Sequence, residues 1–109
     1  MLRLSLLFVS SVLTLGFMST VQAADASAGA EVFAKNCSAC HSGGKNIMNP
    51  TKTLSINDLK SNSMDSEAAI ITQVTNGKAP MPAFGTSLSE EQIKNVAAYV
   101  LQQANAGWK

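Results

Sequence analysis

The sequence is poor in the side chains from which most metal, thiol and nucleic-acid sites are built. Its 109 residues include one histidine and two cysteines, and charged residues make up only 14% of the chain. A single histidine excludes a site held by two histidines, and two cysteines allow at most one disulfide within the chain. The scarcity of positive charge is unlike the basic surface of a nucleic-acid-binding domain, so no nucleic-acid partner is expected.

The histidine and both cysteines fall together in Cys37-Ser38-Ala39-Cys40-His41. This spacing is typical of c-type haem attachment, because two thiols can add to the two vinyl groups of one porphyrin and the adjacent imidazole can bind the iron. It predicts one covalently attached haem c, anchored by Cys37 and Cys40, with His41 as an axial iron ligand. The alternative is a disulfide or a thiol-exchange site. Such sites usually open a helix, whereas residues 28–36 predict a helix that ends at the motif.

The N-terminal residues have the pattern of a secretory signal peptide. Arg3 precedes an uncharged, Leu-rich run, and Val21 and Ala23 are suitable residues for cleavage after Ala23. An uncleaved membrane anchor is the alternative, because residues 4–24 carry no charge, although their apolar core is shorter than a usual span. The prediction is a cleaved signal peptide, 1–23, followed by a single domain, 24–109.

Cleavage would also change the charge of the chain. It removes Arg3, the only arginine, and leaves seven lysines against seven acidic residues, so the formal net charge falls from +1 to zero. A domain of this size buries little apolar surface of its own and usually needs a disulfide, a metal or a partner for stability. A covalently bound porphyrin would complete its core.

The domain shows helical periodicity and no convincing strand pattern. The strongest helix is the last, where Ser89-Glu90-Glu91-Gln92 forms a capping box before apolar residues at helical spacing. Gly43, Gly44 and Pro50 predict a loop over residues 42–54. The residues expected to cap or end the helices are Ser27 for the first, Ser55 and Asn62 for the second, Asp65 and Gly77 for the third, and Ser89 and Gly107 for the last.

An electron-transfer haem needs a sixth ligand, and the candidates in the domain are Met48, Met64 and Met81. A ligand on the opposite face from His41 should come from a stiff, non-helical segment far from it in sequence. Met81 meets this condition because Pro80 and Pro82 restrict the backbone on either side. Met48 follows His41 too closely and is expected on the proximal side, and Met64 is expected to be a cap-region or core residue.

The chain resembles the cytochrome c6 family over essentially all of residues 24–109, in spacing as well as in motifs. The resemblance implies an all-α, class I cytochrome c fold with about four helices around one haem, and His41 and Met81 as axial ligands. The motifs that carry it are Gly29-x-x-x-Phe33, the haem motif, Gly43-Gly44-Lys45-Asn46, Pro50-Thr51-Lys52-Thr53-Leu54, Gln73-Val74-x-Asn76-Gly77, Met81-Pro82-Ala83-Phe84-Gly85, Ala97-Ala98-Tyr99-Val100 and Gly107-Trp108.

The same resemblance implies a soluble one-electron carrier of the thylakoid lumen that contacts membranes only peripherally. Its donor would be the cytochrome b6f complex and its acceptor photosystem I, with a respiratory terminal oxidase as a further acceptor. Gln73 matches a family glutamine beside the haem, where it would tune the potential, or it is simply a solvated helix residue. Lys52 is a candidate to contact a haem propionate, or it is an ordinary surface lysine.

Two departures from the family pattern concern partners rather than chemistry. Ser87 occupies the position of an arginine that helps docking on photosystem I in many members, and Asn49 separates Met48 from Pro50 where the family commonly has Ile-Met-Pro. The alternative function is a c-type haem sensor or a small peroxidase-like protein with an open sixth iron site.

Overall fold

The computed structural model describes residues 23–109, and the predicted signal peptide, 1–23, lies outside the described residues apart from Ala23. Within this range there is no β-strand, and the one isolated bridge joins Lys78 and Met81. The all-helical prediction is therefore confirmed. The helices are α1 (Ala26–Asn36), α2 (Ser38–His41), α3 (Ile56–Ser61), α4 (Glu67–Asn76) and α5 (Glu90–Ala106), with a 3-10 turn at Ser42–Gly44.

At two helices the residue that acts as N-cap is not the predicted one but a near neighbour in sequence. Asp25, and not Ser27, caps α1, because its carboxylate accepts from the peptide N–H groups of Ser27 and Ala28 at 2.9 and 3.2 Å. Ser66, and not Asp65, caps α4, with its hydroxyl accepting from the N–H of Ala69. In each case the better acceptor for the first free N–H groups lies one or two residues from the predicted one.

The remaining predicted helix ends hold, whereas the first three residues of the predicted 42–54 loop form the 3-10 turn Ser42–Gly44. Ser55 caps α3 through the N–H of Asp58, and α3 ends at Ser61 with Asn62 as its C-cap. The capping box at the start of α5 has both of its bonds, from the N–H of Gln92 to Ser89 and from the N–H of Ser89 to the Gln92 side chain. Gly77 and Gly107 follow the last residues of α4 and α5, as predicted.

The core forms where α1 crosses α5, and α4 also packs against α5. Gly29 allows the crossing, since a Cβ there would lie 2.5 Å from the carbonyl carbon of Asn95 and 2.9 Å from Cβ of Tyr99. Tyr99 also packs against Phe33 of α1, with ring centroids 5.3 Å apart. The buried cluster consists of Val32, Phe33, Ile70, Val74, Ile93, Val96, Ala97 and Val100.

Two long loops, residues 45–55 and 77–89, leave this helical frame and carry Lys52 and Met81 of the predicted site. Leu54 and Phe84 each pack against the core cluster and so fasten one loop to it. None of the helices in residues 23–109 is both long enough and apolar enough to cross a membrane.

Candidate functional site

The two cysteines lie at the junction of α1 and α2. Cys37 is the C-cap of α1, and its N–H donates to the carbonyl of Phe33 at 2.9 Å, while Cys40 lies inside α2. Both are half-buried free thiols, and Cys37 packs against the core cluster. Burial raises the pKa of Cys37 to about 11. A thiol-exchange site needs a lowered thiol pKa, so this environment suits a buried attachment point better than a redox dithiol.

His41 ends α2 with a defined ring orientation. Its Nδ1 lies 2.8 Å from the carbonyl oxygen of Lys45. A carbonyl can only accept, so Nδ1 carries the proton and donates it, and Nε2 keeps its lone pair. This is the arrangement in which a histidine binds a metal through Nε2, with its other nitrogen oriented by a hydrogen bond. The half-buried ring is therefore prepared to act as a ligand.

Met81 is held in a tight turn that is tied to the end of α4. The N–H of Met81 donates to the Lys78 carbonyl at 2.7 Å, and the N–H of Lys78 donates back to the Met81 carbonyl at 3.1 Å. The chain then returns along α4, where the N–H of Phe84 donates to the carbonyl of Val74. Met81 is half-buried against the core cluster, so the structure brings it and Cys37 to the same body of apolar side chains.

Gln73 reaches the sulfur of Met81. Its side-chain Nε2 donates to Sδ across 3.7 Å from the neighbouring turn of α4. The residue is half-buried, so it is not the freely solvated helix residue that was the alternative. The sequence identified both residues separately, and the structure pairs them.

Other predicted site residues lie apart from this pair. Lys52 is exposed, and the structure brings its side chain to none of the other candidates in residues 23–109; its carbonyl accepts from the Asn46 side chain at 2.9 Å. Met48 is 61% exposed in the loop that follows the haem motif, and its expected place on the proximal side of the haem stays a prediction. Met64 is half-buried just after α3 and donates its N–H to the Leu59 carbonyl, as expected for a cap-region residue. Ser87 is exposed.

Sequence reasoning missed the part played by Lys45. The functional group is the backbone carbonyl of this residue. The lysine side chain gives no signal that a motif search could detect. The one available signal was its position soon after the haem motif, within the pattern Gly43-Gly44-Lys45-Asn46.

The donor set fits a c-type haem. One thiol precedes and the other lies within the helix that ends in His41, the imidazole keeps Nε2 available, and a thioether packs on the same core as Cys37. Among residues 23–109 there is no cluster of three or more His, Cys, Asp or Glu side chains that could hold a metal ion directly. An iron here would therefore be held by a porphyrin and two axial side chains.

Comparison with known proteins defines the class. A family model described as cytochrome C oxidase, cbb3-type, subunit III matches residues 24–100, and the chain belongs to the cytochrome domain family that it describes. The solved structure of cytochrome c6 from the diatom Phaeodactylum tricornutum is 52% identical, with a TM-score of 0.75 over 77% of this chain and 99% of that chain. The chain is thus a c-type cytochrome of the class I fold, and it carries one covalently bound haem c.

The relatives narrow the class to one family. Cytochrome c6 from Rippkaea orientalis (strain PCC 8801 / RF-1) is 64% identical over 87 residues, which are 80% of this chain and 78% of that protein. Oxidized cytochrome c6A from Arabidopsis thaliana also has a TM-score of 0.75, over 81% of this chain and 98% of that chain, at 36% identity. The chain belongs to the cytochrome c6 family, and it is an electron-transfer protein and not an enzyme.

Proposed function

We propose that this protein carries single electrons from the cytochrome b6f complex to photosystem I in the thylakoid lumen, with a respiratory terminal oxidase as a further acceptor. Its membership of the cytochrome c6 family supports this route. The signal peptide predicted at residues 1–23 supports delivery to that compartment. Identity to cytochrome c6 from R. orientalis, 64%, exceeds the 36% to cytochrome c6A of A. thaliana, which favours the c6 role over that of a c6A-like paralogue.

In this proposal Cys37 and Cys40 hold the haem covalently, and His41 and Met81 are its axial ligands. The bound haem supplies a one-electron ferric/ferrous couple. Both protein ligands are neutral, because His41 donates its only ring proton to Lys45 and Met81 is a thioether. Neutral ligands beside an apolar core favour the ferrous form, since the extra positive charge of ferric iron is poorly solvated there. We expect a high reduction potential.

The observation that carries the proposal is the hydrogen bond from Gln73 to the sulfur of Met81. It fixes the thioether from one side while the paired turn at Lys78 and Met81 fixes the backbone. A side chain restrained in this way can remain on the iron in both redox states, so little reorganisation accompanies electron transfer. A haem sensor or peroxidase needs an open sixth position instead, and this arrangement argues against that alternative.

The docking surface is the exposed part of the loop that carries Met81. Pro82 is exposed and Phe84 half-exposed there, and Ser87 follows on the surface where many relatives have arginine. With equal numbers of lysines and acidic residues in 24–109, long-range steering toward a charged partner is weak. We propose that apolar contact at this loop guides the encounter and that Lys52 contacts a haem propionate.

The proposal is tested with the purified, haem-loaded mature protein. A redox titration with absorption spectra should show one high-potential transition and the weak long-wavelength band of thioether-ligated ferric haem. The reduced protein should then re-reduce flash-oxidised photosystem I, and the cytochrome b6f complex should reduce the oxidised protein. Oxygen uptake by membranes that contain only a terminal oxidase tests the further acceptor. Rapid transfer to the oxidase with negligible transfer to photosystem I would overturn the photosynthetic route.

A further inference from the structure

The indole of Trp108 reaches from the C-terminal end of α5 to the loop that follows the haem motif. Its Nε1–H donates to the carbonyl oxygen of Leu54 at 2.9 Å. Its own peptide N–H donates to the carbonyl of Gln103 at 2.8 Å and closes the end of α5. The ring also packs against Phe33 and Tyr99, with centroid distances of 5.4 and 6.1 Å. Trp108 is therefore fixed to the α1–α5 core and contacts the loop from there.

The same indole covers the other end of this loop at Gly44. A Cβ on Gly44 would lie 2.5 Å from Cδ1 and Cε2 of the indole, and the residue has a φ of +79°, so glycine is required on both counts. The N–H of Leu54 donates to the carbonyl of Gly44 at 2.7 Å. One side chain thus holds both ends of the 44–54 loop while the two ends bond to each other.

The orientation of His41 depends on this loop. Lys45 directly follows Gly44, and its carbonyl accepts the Nδ1–H of His41 at 2.8 Å. That carbonyl lies in the Lys45–Asn46 peptide, one residue beyond the Gly44 against which the indole packs. A second tie runs from the N–H of Ile47 to the carbonyl of Cys40 at 3.1 Å. The loop is therefore the support of the histidine ring.

We propose that Trp108 is a positioning residue for His41, acting through Gly44 and the Lys45 carbonyl without touching the ring. The inference rests on the proposed role of His41 as an axial ligand. A strong hydrogen bond to the distant ring nitrogen makes the imidazole a better electron donor to the iron and so stabilises the ferric state. Loosening the loop weakens that bond, and the reduction potential should rise.

The test compares haem-loaded wild-type protein with Trp108→Phe and Gly44→Ala. Trp108→Phe keeps a ring but removes the donor to Leu54, and Gly44→Ala pushes the indole away. Both should raise the potential and speed exchange of the His41 Nδ1 proton, followed by NMR in the reduced state. The Leu54 N–H, which donates to Gly44, should exchange roughly fivefold faster or more, because losing the bond of about 1 kcal/mol from Trp108 to the Leu54 carbonyl makes opening of the loop easier by that amount.

Ile93→Val is the control, because Ile93 is buried in α5 at the end opposite Trp108. It lowers stability without reaching the loop, so it should leave the potential and the His41 proton unchanged. A potential and a ring-proton exchange rate that stay at wild-type values in Trp108→Phe would overturn the inference. The inference would also be overturned if Ile93→Val changed the potential and the ring-proton exchange rate as much as Trp108→Phe does, with the two variants at the same melting temperature.

Failure of the ligand assignment is recognised separately with His41→Ala. If that variant keeps the wild-type haem spectrum, His41 is not the ligand and the proposed function must be revised. If the spectrum is lost while Trp108→Phe changes only the Leu54 amide, the ligand assignment stands and the positioning role of Trp108 is rejected.

Discussion

The side-chain amide of Gln73 donates a hydrogen bond to the sulfur of Met81 across 3.7 Å. The donor lies on α4, and the acceptor lies in the turn that Lys78 and Met81 close with two backbone bonds. A helix residue therefore fixes the side-chain position of a loop methionine. Because the amide places the positive end of its N–H dipole beside the thioether, the contact acts on the electron density of the sulfur as well as on its position.

We expect Gln73→Leu to lower the midpoint potential. The N–H donor withdraws electron density from the sulfur and disfavours additional positive charge on the iron, so its loss stabilises the ferric state. A neutral hydrogen bond contributes about 1 kcal/mol, and a tenfold change in a one-electron equilibrium, about 1.4 kcal/mol, corresponds to about 59 mV. The expected shift is therefore several tens of millivolts, measured by redox titration.

Gln102→Leu is the matched control, because it makes the same substitution at an exposed position of α5. It should leave the potential unchanged. If Gln73→Leu and Gln102→Leu gave the same potential, the contact with Met81 would have no electronic role.

Met81→Ala should vacate the sixth coordination position while the haem stays attached through Cys37 and Cys40. The midpoint potential should fall because a thioether favours ferrous iron, and the reduced protein should bind carbon monoxide. The measurements are the absorption spectrum, with loss of the long-wavelength thioether band, and a carbon monoxide titration.

Two further methionines serve as controls for that assignment. Met48 is exposed and Met64 lies just after α3, so Met48→Ala and Met64→Ala should keep the wild-type spectrum. If either control bound carbon monoxide and the Met81→Ala protein did not, the assignment of Met81 as the ligand would be wrong.

The helices and the haem motif were predictable because their signals are local. A capping box, a glycine at a helix end and apolar residues at helical spacing each act within a few residues, and α5 follows them from Ser89 to Gly107. The errors were equally local. Asp25 and Ser66 cap α1 and α4 because several adjacent side chains can accept the same N–H groups, and the sequence does not rank them.

What the sequence could not supply are contacts between segments that lie far apart in it. The Lys45 carbonyl that orients His41 carries no side-chain signal, and the bond from Trp108 to Leu54 depends on how α5 crosses α1.

Gly29→Ala should destabilise the protein without altering its redox chemistry. The new Cβ would lie 2.9 Å from that of Tyr99 and closer still to the Asn95 carbonyl, so α1 and α5 must move apart. Overpacking of this kind typically costs about 1–3 kcal/mol. Denaturant unfolding of the haem-loaded protein measures the loss, and the midpoint potential should stay close to that of the wild type.

Ala34→Val is the control for Gly29→Ala, because it adds atoms to an exposed position of the same helix. It should cost well under the amount lost in Gly29→Ala. Equal losses in the two variants would mean that the crossing of α1 and α5 does not set the requirement for glycine, since helix propensity alone favours alanine over glycine.

Asp58 should make stability depend on pH at the acidic end. Its carboxylate accepts from the hydroxyl and the N–H of Thr53, and these bonds lower its pKa below the usual value of 3.8. A lowered pKa in the folded state gives stability that is present above the unfolded-state pKa and is lost as pH falls through the folded one. Asp58→Ala should therefore lower the melting temperature at pH 7, and the difference from wild type should shrink below about pH 4.

Asp65→Ala provides the comparison, because Asp65 is exposed and does not cap α4. Its melting temperature should follow that of the wild type across the same pH range. A constant difference between Asp58→Ala and wild type from pH 7 to pH 3 would show that the carboxylate charge is not what stabilises the loop.

Ser87→Arg should speed electron transfer to photosystem I. Ser87 is exposed, and its N–H donates to the carbonyl of Phe84 at 3.1 Å, which places it beside the apolar part of the proposed docking loop. The wild-type chain 24–109 has no arginine and no net formal charge, so its rate should change little with salt. The added guanidinium should raise the rate at low ionic strength, and the gain should fade as salt is added, as followed by flash-induced absorbance changes.

Thr86→Arg moves the same charge by one residue and should gain less if orientation on the partner matters. A fast, strongly salt-dependent wild type that gains nothing from Ser87→Arg would refute docking by apolar contact at this loop, and negligible rates for every variant would direct the search to a different acceptor.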